Sequence, residues 1–209
     1  MKSMWLSNAN MKPYSPLPRT FYEKPTLQVA RNLLGKHLMR QTPKGLVQTT
    51  IVDVEAYVGP QDKACHASKG RTKRTEVMFG PAGFTYVYMI YGMYHCLNFV
   101  TEQVDYPAAV LIRGLEIVVN HKSRDTKPTR IDGPGRVCRF LELDRSHNVL
   151  DATKKEIIWV EDRGTSILKT QIQALPRIGV DYAGEWAKKP WRFCLLPPAP
   201  FRQRKTRRG

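Results

Sequence analysis

The apolar positions of this chain change period several times, and each change marks an element. Leu27, Ala30, Leu33 and Leu34 recur at helical spacing, with Thr26 placed to cap the start and Gly35 to stop it, which predicts a helix over 26–34. Lys36 to Gln41 and Val47 to Tyr57 read as strands joined by a Thr-Pro-Lys-Gly turn. Three further strand-like runs, Phe84 to Tyr91, Tyr94 to Thr101 and Ala108 to Leu115, are rich in Tyr, Val, Ile and Phe. Gly133-Pro134-Gly135 leads into a short helix over Arg136 to Leu141, with Pro134 or Gly135 near its start. Glu156 to Glu161, Thr170 to Pro176 and Trp191 to Leu196 follow as strands, and Ala183 to Ala187 as one helical turn. Between the early and central strands lies a long polar stretch, Gly59 to Ala82, and loops of that length in a compact domain are functional or mobile. No repeat or linker interrupts the series. The pattern predicts an α+β fold: a single compact domain over 18–200, built on a curved, mostly antiparallel sheet, partly open and barrel-like, with short helices beside it. A loose arm at 1–17 and a basic RQRKTRR tail within 201–209 are expected to flank it.

Composition narrows the partner. A domain of 209 residues buries roughly 70% of its unfolded surface and needs no staple. Lys and Arg total 34 against 18 acidic residues, a formal charge of +16. Such a surplus predicts a polyanion, since each phosphate neutralised releases counterions. Nucleic acid leads, with solvated surface lysines as the plainer alternative. A membrane partner is not expected, because the chain has neither a long basic amphipathic helix nor an apolar run of about 18 residues. Cys65, Cys96, Cys138 and Cys194 form no CxxC pair, and the first 30 residues do not resemble a signal peptide, so reduced thiols in a cytoplasmic protein are expected. Cys65–His66 and His95–Cys96 are adjacent pairs whose side chains diverge on a strand and lack zinc-ligand spacing, so no metal is expected.

Three segments carry candidate chemistry: VDVEAYVG at 52–59, TYVYMIYGMYHCLN at 85–98 and AAVLIRGLE at 108–116. In the first, Val52, Val54, Ala56 and Val58 share one strand face and Asp53, Glu55 and Tyr57 the other. A carboxylate able to activate water would then stand beside a ring able to stack on a flat ligand; an exposed strand carboxylate beside a packing tyrosine fits the same spacing. In the second, Tyr86, Tyr88, Tyr91 and Tyr94 fall within nine residues. In a basic protein this suggests base stacking, and Tyr91, before Gly92 at a hairpin tip, has the position of a wedge that unstacks DNA. Tyrosines covering an ordinary sheet remain the other reading of this segment.

Taken in order, VEAYVGPQDKACH, MFGPAGFTYVYMIYGMYHCLN, AAVLIRGLE, GPGRVC and AGEWAKKPWRF resemble the alkyladenine (3-methyladenine) DNA glycosylases of the mammalian type, over residues 20–198. The short N-terminal arm suggests a compact, bacterial version. The resemblance implies a monofunctional, cofactor-independent repair enzyme, acting as a monomer on double-stranded DNA that contains damaged purines, among them 3-methyladenine, 7-methylguanine, hypoxanthine and ethenoadenine. It implies that Glu55 is the general base for the attacking water and that Arg113 helps position this water and the nearby backbone phosphate. The main-chain carbonyl of Ile178 falls where a third water contact is made. Tyr57, His66 and Tyr88 match the base pocket, and Asn98 matches an asparagine that obstructs the 2-amino group of guanine. Tyr91 matches the intercalating residue, and Met78 lies in a DNA-contacting loop. Arg71, Lys73 and Arg74, with Lys69, are expected phosphate contacts, though a solvated loop would carry the same charges. Two rival classes share these features: a non-catalytic nucleic-acid-binding module, for instance one for tRNA or structured RNA, and a damage sensor that binds lesions without cutting.

Overall fold

The computed structural model describes residues 14–118 and 129–196, and the expected basic tail lies outside them, as does most of the expected arm. Pro16 and Leu17, at the end of that arm, lie against the sheet: Pro16 bridges Glu161, and the Leu17 N–H donates to Val160 at 2.7 Å.

Two helices open the described chain, α1 (Arg19–Tyr22) and α2 (Thr26–Leu33). The strands are β1 (His37–Thr42), β2 (Gly45–Tyr57), β3 (Thr85–Ile90), β4 (Tyr94–Thr101), β5 (Ala108–Ile117), β6 (Arg130–Asp132), β7 (Ile158–Glu161), β8 (Ile172–Leu175) and β9 (Arg192–Leu195), with helix α3 (Pro134–Phe140) after β6. They form one open, antiparallel sheet with the path β3-β4-β5-β2-β1-β7, to which β6 adds on β5, β9 on β2 and β8 on β9. This is the expected α+β architecture. The 59–82 stretch is less irregular than its composition suggests, containing 3-10 turns at His66–Lys69 and Glu76–Phe79. Thr170 and Gln171, expected as strand, sit in another such turn, and α1 and β6 are too short for any periodicity to announce.

β2 is the spine. Its first half pairs with β1 and its second half with β9 along one edge, while β5 runs along the other. Glu55 therefore has Leu111 on one side and Arg192 on the other, so its backbone is held from both edges. The β2–β5 register slips twice, around Val52 and around Arg113, and the Arg113 carbonyl accepts instead from the Gly133 N–H at 2.9 Å. Such bulges bend the sheet and re-aim side chains beside functional sites.

The two faces of the sheet bury different things. Val54, Ala56, Leu97, Phe99, Val110 and Ile112 face α1, α2 and α3 across the main core. On the other face the 59–82 segment folds back, and Cys65, Ala67 and Met78 pack with Tyr86, Val100 and Ala109. The cavity described next opens between that segment and the sheet.

Candidate active site

A cavity of about 520 Å³ opens on this second face, within the roughly 300–1,000 Å³ usual for small-molecule sites. The strands supply Glu55 and Tyr57 from β2, Tyr86 and Tyr88 from β3, Asn98 from β4 and Arg113 from β5. His66, Arg74 and Met78 come from the folded-back segment, and Ile178, Val180 and Tyr182 from the stretch before β9. Side chains placed on strands of one face in alternation converge, which explains why residues so distant in sequence meet here.

Glu55 is fully buried, so the exposed-carboxylate reading does not hold. It is surrounded by donors: the Tyr57 hydroxyl donates to Oε2 at 2.9 Å, the Ile178 N–H donates to Oε1 at 3.0 Å, and Arg113 Nη1 lies 3.4 Å from Oε1. Burial pushes the Glu55 carboxyl above the usual range, while Arg113, the Ile178 N–H and the Tyr57 hydroxyl work against the rise. Asp53, two residues earlier, is equally buried and pairs with Arg192 through Nη2 at 2.7 Å and Nε at 3.1 Å, with Arg113 Nε 3.8 Å away. Arg113 thus stands between two carboxylates. A buried, donor-supported carboxylate with a raised pKa suits general-base chemistry near neutral pH.

The walls are aromatic. The Tyr86 and Tyr88 rings lie 4.9 Å apart, and His66 meets Tyr88 edge-on at 4.6 Å. His66 Nδ1 is 3.0 Å from the Tyr86 hydroxyl, and the His66 ring is pushed down to about 4 by burial and then by Arg74 and Lys69. Burial raises the Tyr86 phenol to about 12 and those of Tyr57 and Tyr88 well above their usual value, so all three stay protonated. Asn98 is buried, with Nδ2 donating to the Tyr86 carbonyl at 3.0 Å, which fixes the amide in place.

At the rim stands Tyr91, in the β3–β4 turn with φ of 50°, a left-handed conformation costing a non-glycine residue about 1 kcal/mol. It is 83% exposed, and Tyr182 across the mouth is 70% exposed. The basic loop residues divide. Arg71 and Lys73 are exposed, but Arg71 pairs with Asp105 at 2.7 Å and packs over Phe79. Arg74 reaches the cavity and lies 4.9 Å from the Tyr88 ring, so it belongs to the pocket wall as well as to the surface. Met78, expected in a DNA-contacting loop, is buried beneath it and packs into the pocket floor. Ile178 is half-exposed, and its amide contact to Glu55 adds to the carbonyl role expected for it.

Asp62, Arg177 and Arg192 gave no signal in the sequence, and Asp53 was legible only as sharing the strand face of Glu55 and Tyr57. Asp62 and Arg177 form a fully buried two-pronged pair behind Tyr57, with Nη1–Oδ2 at 2.5 Å and Nη2–Oδ1 at 2.8 Å. Asp53 and Arg192 brace Arg113. Such partners lie more than 100 residues apart, and only their extreme spacing from any local pattern distinguished them.

A buried carboxylate facing an aromatic, cation-rimmed cavity, on an open antiparallel sheet in a strongly basic chain, has the make-up of a hydrolase that takes in a flat, nucleic-acid-derived group. Comparison with known proteins makes that class the DNA glycosylases of DNA repair. Residues 20–197 match the family model described as Methylpurine-DNA glycosylase (MPG), and the chain belongs to that family. It is 54% identical over 197 residues to a protein of Methanocella arvoryzae, covering 88% of this chain and 97% of that one. It is 48% identical over 179 residues to one of Myxococcus xanthus (86% and 89% covered). With one of Bdellovibrio bacteriovorus it is 44% identical over 181 residues (86% and 94% covered). All three carry the name "Putative 3-methyladenine DNA glycosylase".

Proposed function

We propose that this protein turns a damaged purine out of duplex DNA into the aromatic cavity and hydrolyses its N-glycosidic bond with a water activated by Glu55, leaving an abasic site. The observation that carries this reading is the position of Glu55: buried at the cavity, with Arg113 and the Ile178 N–H on one oxygen and the Tyr57 hydroxyl on the other. The transition state for leaving of the base is oxocarbenium-like, and a buried carboxylate both stabilises that charge and accepts the proton of the attacking water. Tyr57, Tyr88 and His66 supply stacking surfaces for the base, and rings of this kind favour purines made cationic by alkylation. The related proteins named for 3-methyladenine support that substrate class, and 7-methylguanine, hypoxanthine and ethenoadenine are further damaged purines within the same proposal. Tyr91, exposed on a strained hairpin tip, fills the gap left in the base stack. Arg71, Lys73 and Arg74, exposed on the folded-back segment, are the proposed contacts to backbone phosphates. Water acts as nucleophile, which makes the enzyme monofunctional; it acts as a monomer, a reading in keeping with a cavity lined by groups of one chain.

The test is Glu55→Gln. This variant should bind lesion duplexes as the parent does, while single-turnover release of 3-methyladenine or hypoxanthine, read as alkali-labile sites, falls by about a hundredfold or more. Base release at the parental rate would refute the mechanism. Tight binding with no release by the parent itself would make the protein a damage sensor instead.

A further inference from the structure

We infer that the buried Asp62–Arg177 pair is a positioning device for the proposed base: it ties the Ile178 segment to β2 and so keeps the Ile178 N–H on Glu55. The inference rests on the reading of Glu55 given above.

Arg177 immediately precedes Ile178. Its guanidinium joins three parts of the chain at once. Nη1 donates to Asp62 Oδ2 at 2.5 Å and to the Ala56 carbonyl at 2.9 Å; Nη2 donates to Asp62 Oδ1 at 2.8 Å and to the Trp186 carbonyl at 3.1 Å. Ala56 is the residue between Glu55 and Tyr57. Its carbonyl therefore pins Arg177 to the part of β2 that presents both site residues. Asp62 in turn accepts the N–H groups of Val58 and Ala64, each at 3.1 Å, and so shapes the turn leading to His66. The Tyr57 ring packs on the guanidinium at 4.8 Å.

The stretch from 176 to 191 needs such an anchor. It lies between β8 and β9; the Ala56 N–H donates to the Trp191 carbonyl at its far end at 2.8 Å, and Val180 and Ala183 pack on Ala64 and Tyr57. Its short-range bonds, such as Ala183 N–H to Val180 and Ala187 N–H to Gly184, fold it on itself, and none of these contacts is made by Arg177 or Ile178. Gly179, next to Ile178, has φ of 75°, a turn that does not by itself fix where Ile178 points. Arg177 does.

Stability alone explains the pair poorly. Both side chains are fully buried, and Arg177 Nε is buried without a partner. An ion pair taken out of water gains little over apolar residues of the same volume. What it provides is direction, through paired donors that suit one arrangement of three segments. Neither residue lines the cavity, so neither is a catalytic residue.

The test uses Arg177→Lys and Asp62→Asn in the full chain. Lysine keeps the charge but loses the fork, and asparagine keeps the shape but weakens its grip. Each variant should bind lesion duplex within about threefold of the parent and release base about tenfold more slowly or worse. The distinguishing readout is the pH profile of single-turnover release. The Ile178 N–H favours the ionised carboxylate, so displacing it raises the Glu55 pKa and moves the acidic limb to higher pH. An acidic limb that stays in place in both variants overturns the proposal, as does a loss of binding and rate in equal measure with the limb unmoved. The parental limb must itself disappear in Glu55→Gln. If it persists there, Glu55 is not the base, and the underlying reading fails independently of Arg177.

Discussion

His66 carries two ring nitrogens to the cavity wall, and its surroundings hold it neutral. Burial comes first, then Arg74 and Lys69, and together they push its pKa down to about 4. A neutral ring can donate and accept at once, which suits recognition of a base edge; a charged ring would repel an alkylated, cationic purine. The consequence for stability has a definite sign. The unfolded ring titrates near 6.5, the folded one near 4, so between these values the unfolded chain binds more protons. Stability from this group is complete above about 6.5 and is lost as pH falls toward 4. Side-chain NMR should show His66 unchanged from pH 8 to about 5.5, and His66→Gln should flatten part of the acid-side fall in denaturation midpoint. A His66 resonance titrating at the ordinary value would remove this account. The match of VEAYVGPQDKACH to the family motif, not the local pattern around it, put His66 in the expected pocket, whereas neutrality came from burial and from a cation eight residues away brought back by the loop.

Among the elements, β2 and β5 decide the site, and they do so where their pairing is irregular. The period-two alternation along 52–58 correctly placed Asp53, Glu55 and Tyr57 on one face, since that inference needs only an extended backbone. Alternation cannot announce a bulge, and Arg113 sits in one, aimed between Asp53 and Glu55. Gly114 permits this. A Cβ there would lie 2.7 Å from the Asp53 Cβ, inside van der Waals contact, between two strands that cannot part without breaking their ladder. Gly114→Ala should destabilise the fold by about 1–3 kcal/mol, lowering Tm by roughly 2–10 °C. Base release should fall more steeply than stability, because Asp53 moves and Arg113 with it. A Tm within about a degree of the parent would show that the strands yield without strain. The hairpin turn at Tyr91-Gly92 was legible for a different reason: Gly92 after an aromatic run marks a reversal, and the exposed ring follows from being at its tip.

For the whole molecule the net charge of +16 is the dominant property, and it acts at long range. Binding to undamaged duplex should weaken by about tenfold or more between roughly 50 and 200 mM salt, with log affinity linear in log salt. Single-turnover release from a saturated lesion complex should change little over the same range, since the chemistry takes place among buried groups. A salt-independent affinity would mean that the basic surface is merely solvated. Charge, strand periodicity and the aromatic run were legible in the sequence, because each depends on composition or on neighbours within a few positions; spacing left Glu55 open between a water-activating and an exposed carboxylate, and only the family motif singled it out. The α+β sheet and most strand limits followed from the same local rules. The Asp62–Arg177 clamp, the bracing of Arg113 by Asp53 and Arg192, the burial of Met78 and the Ile178 N–H on Glu55 belong to the tertiary structure alone. They pair residues across as many as 139 positions, and a hydrogen bond at that separation is decided by where the chain returns in space, which no local pattern encodes.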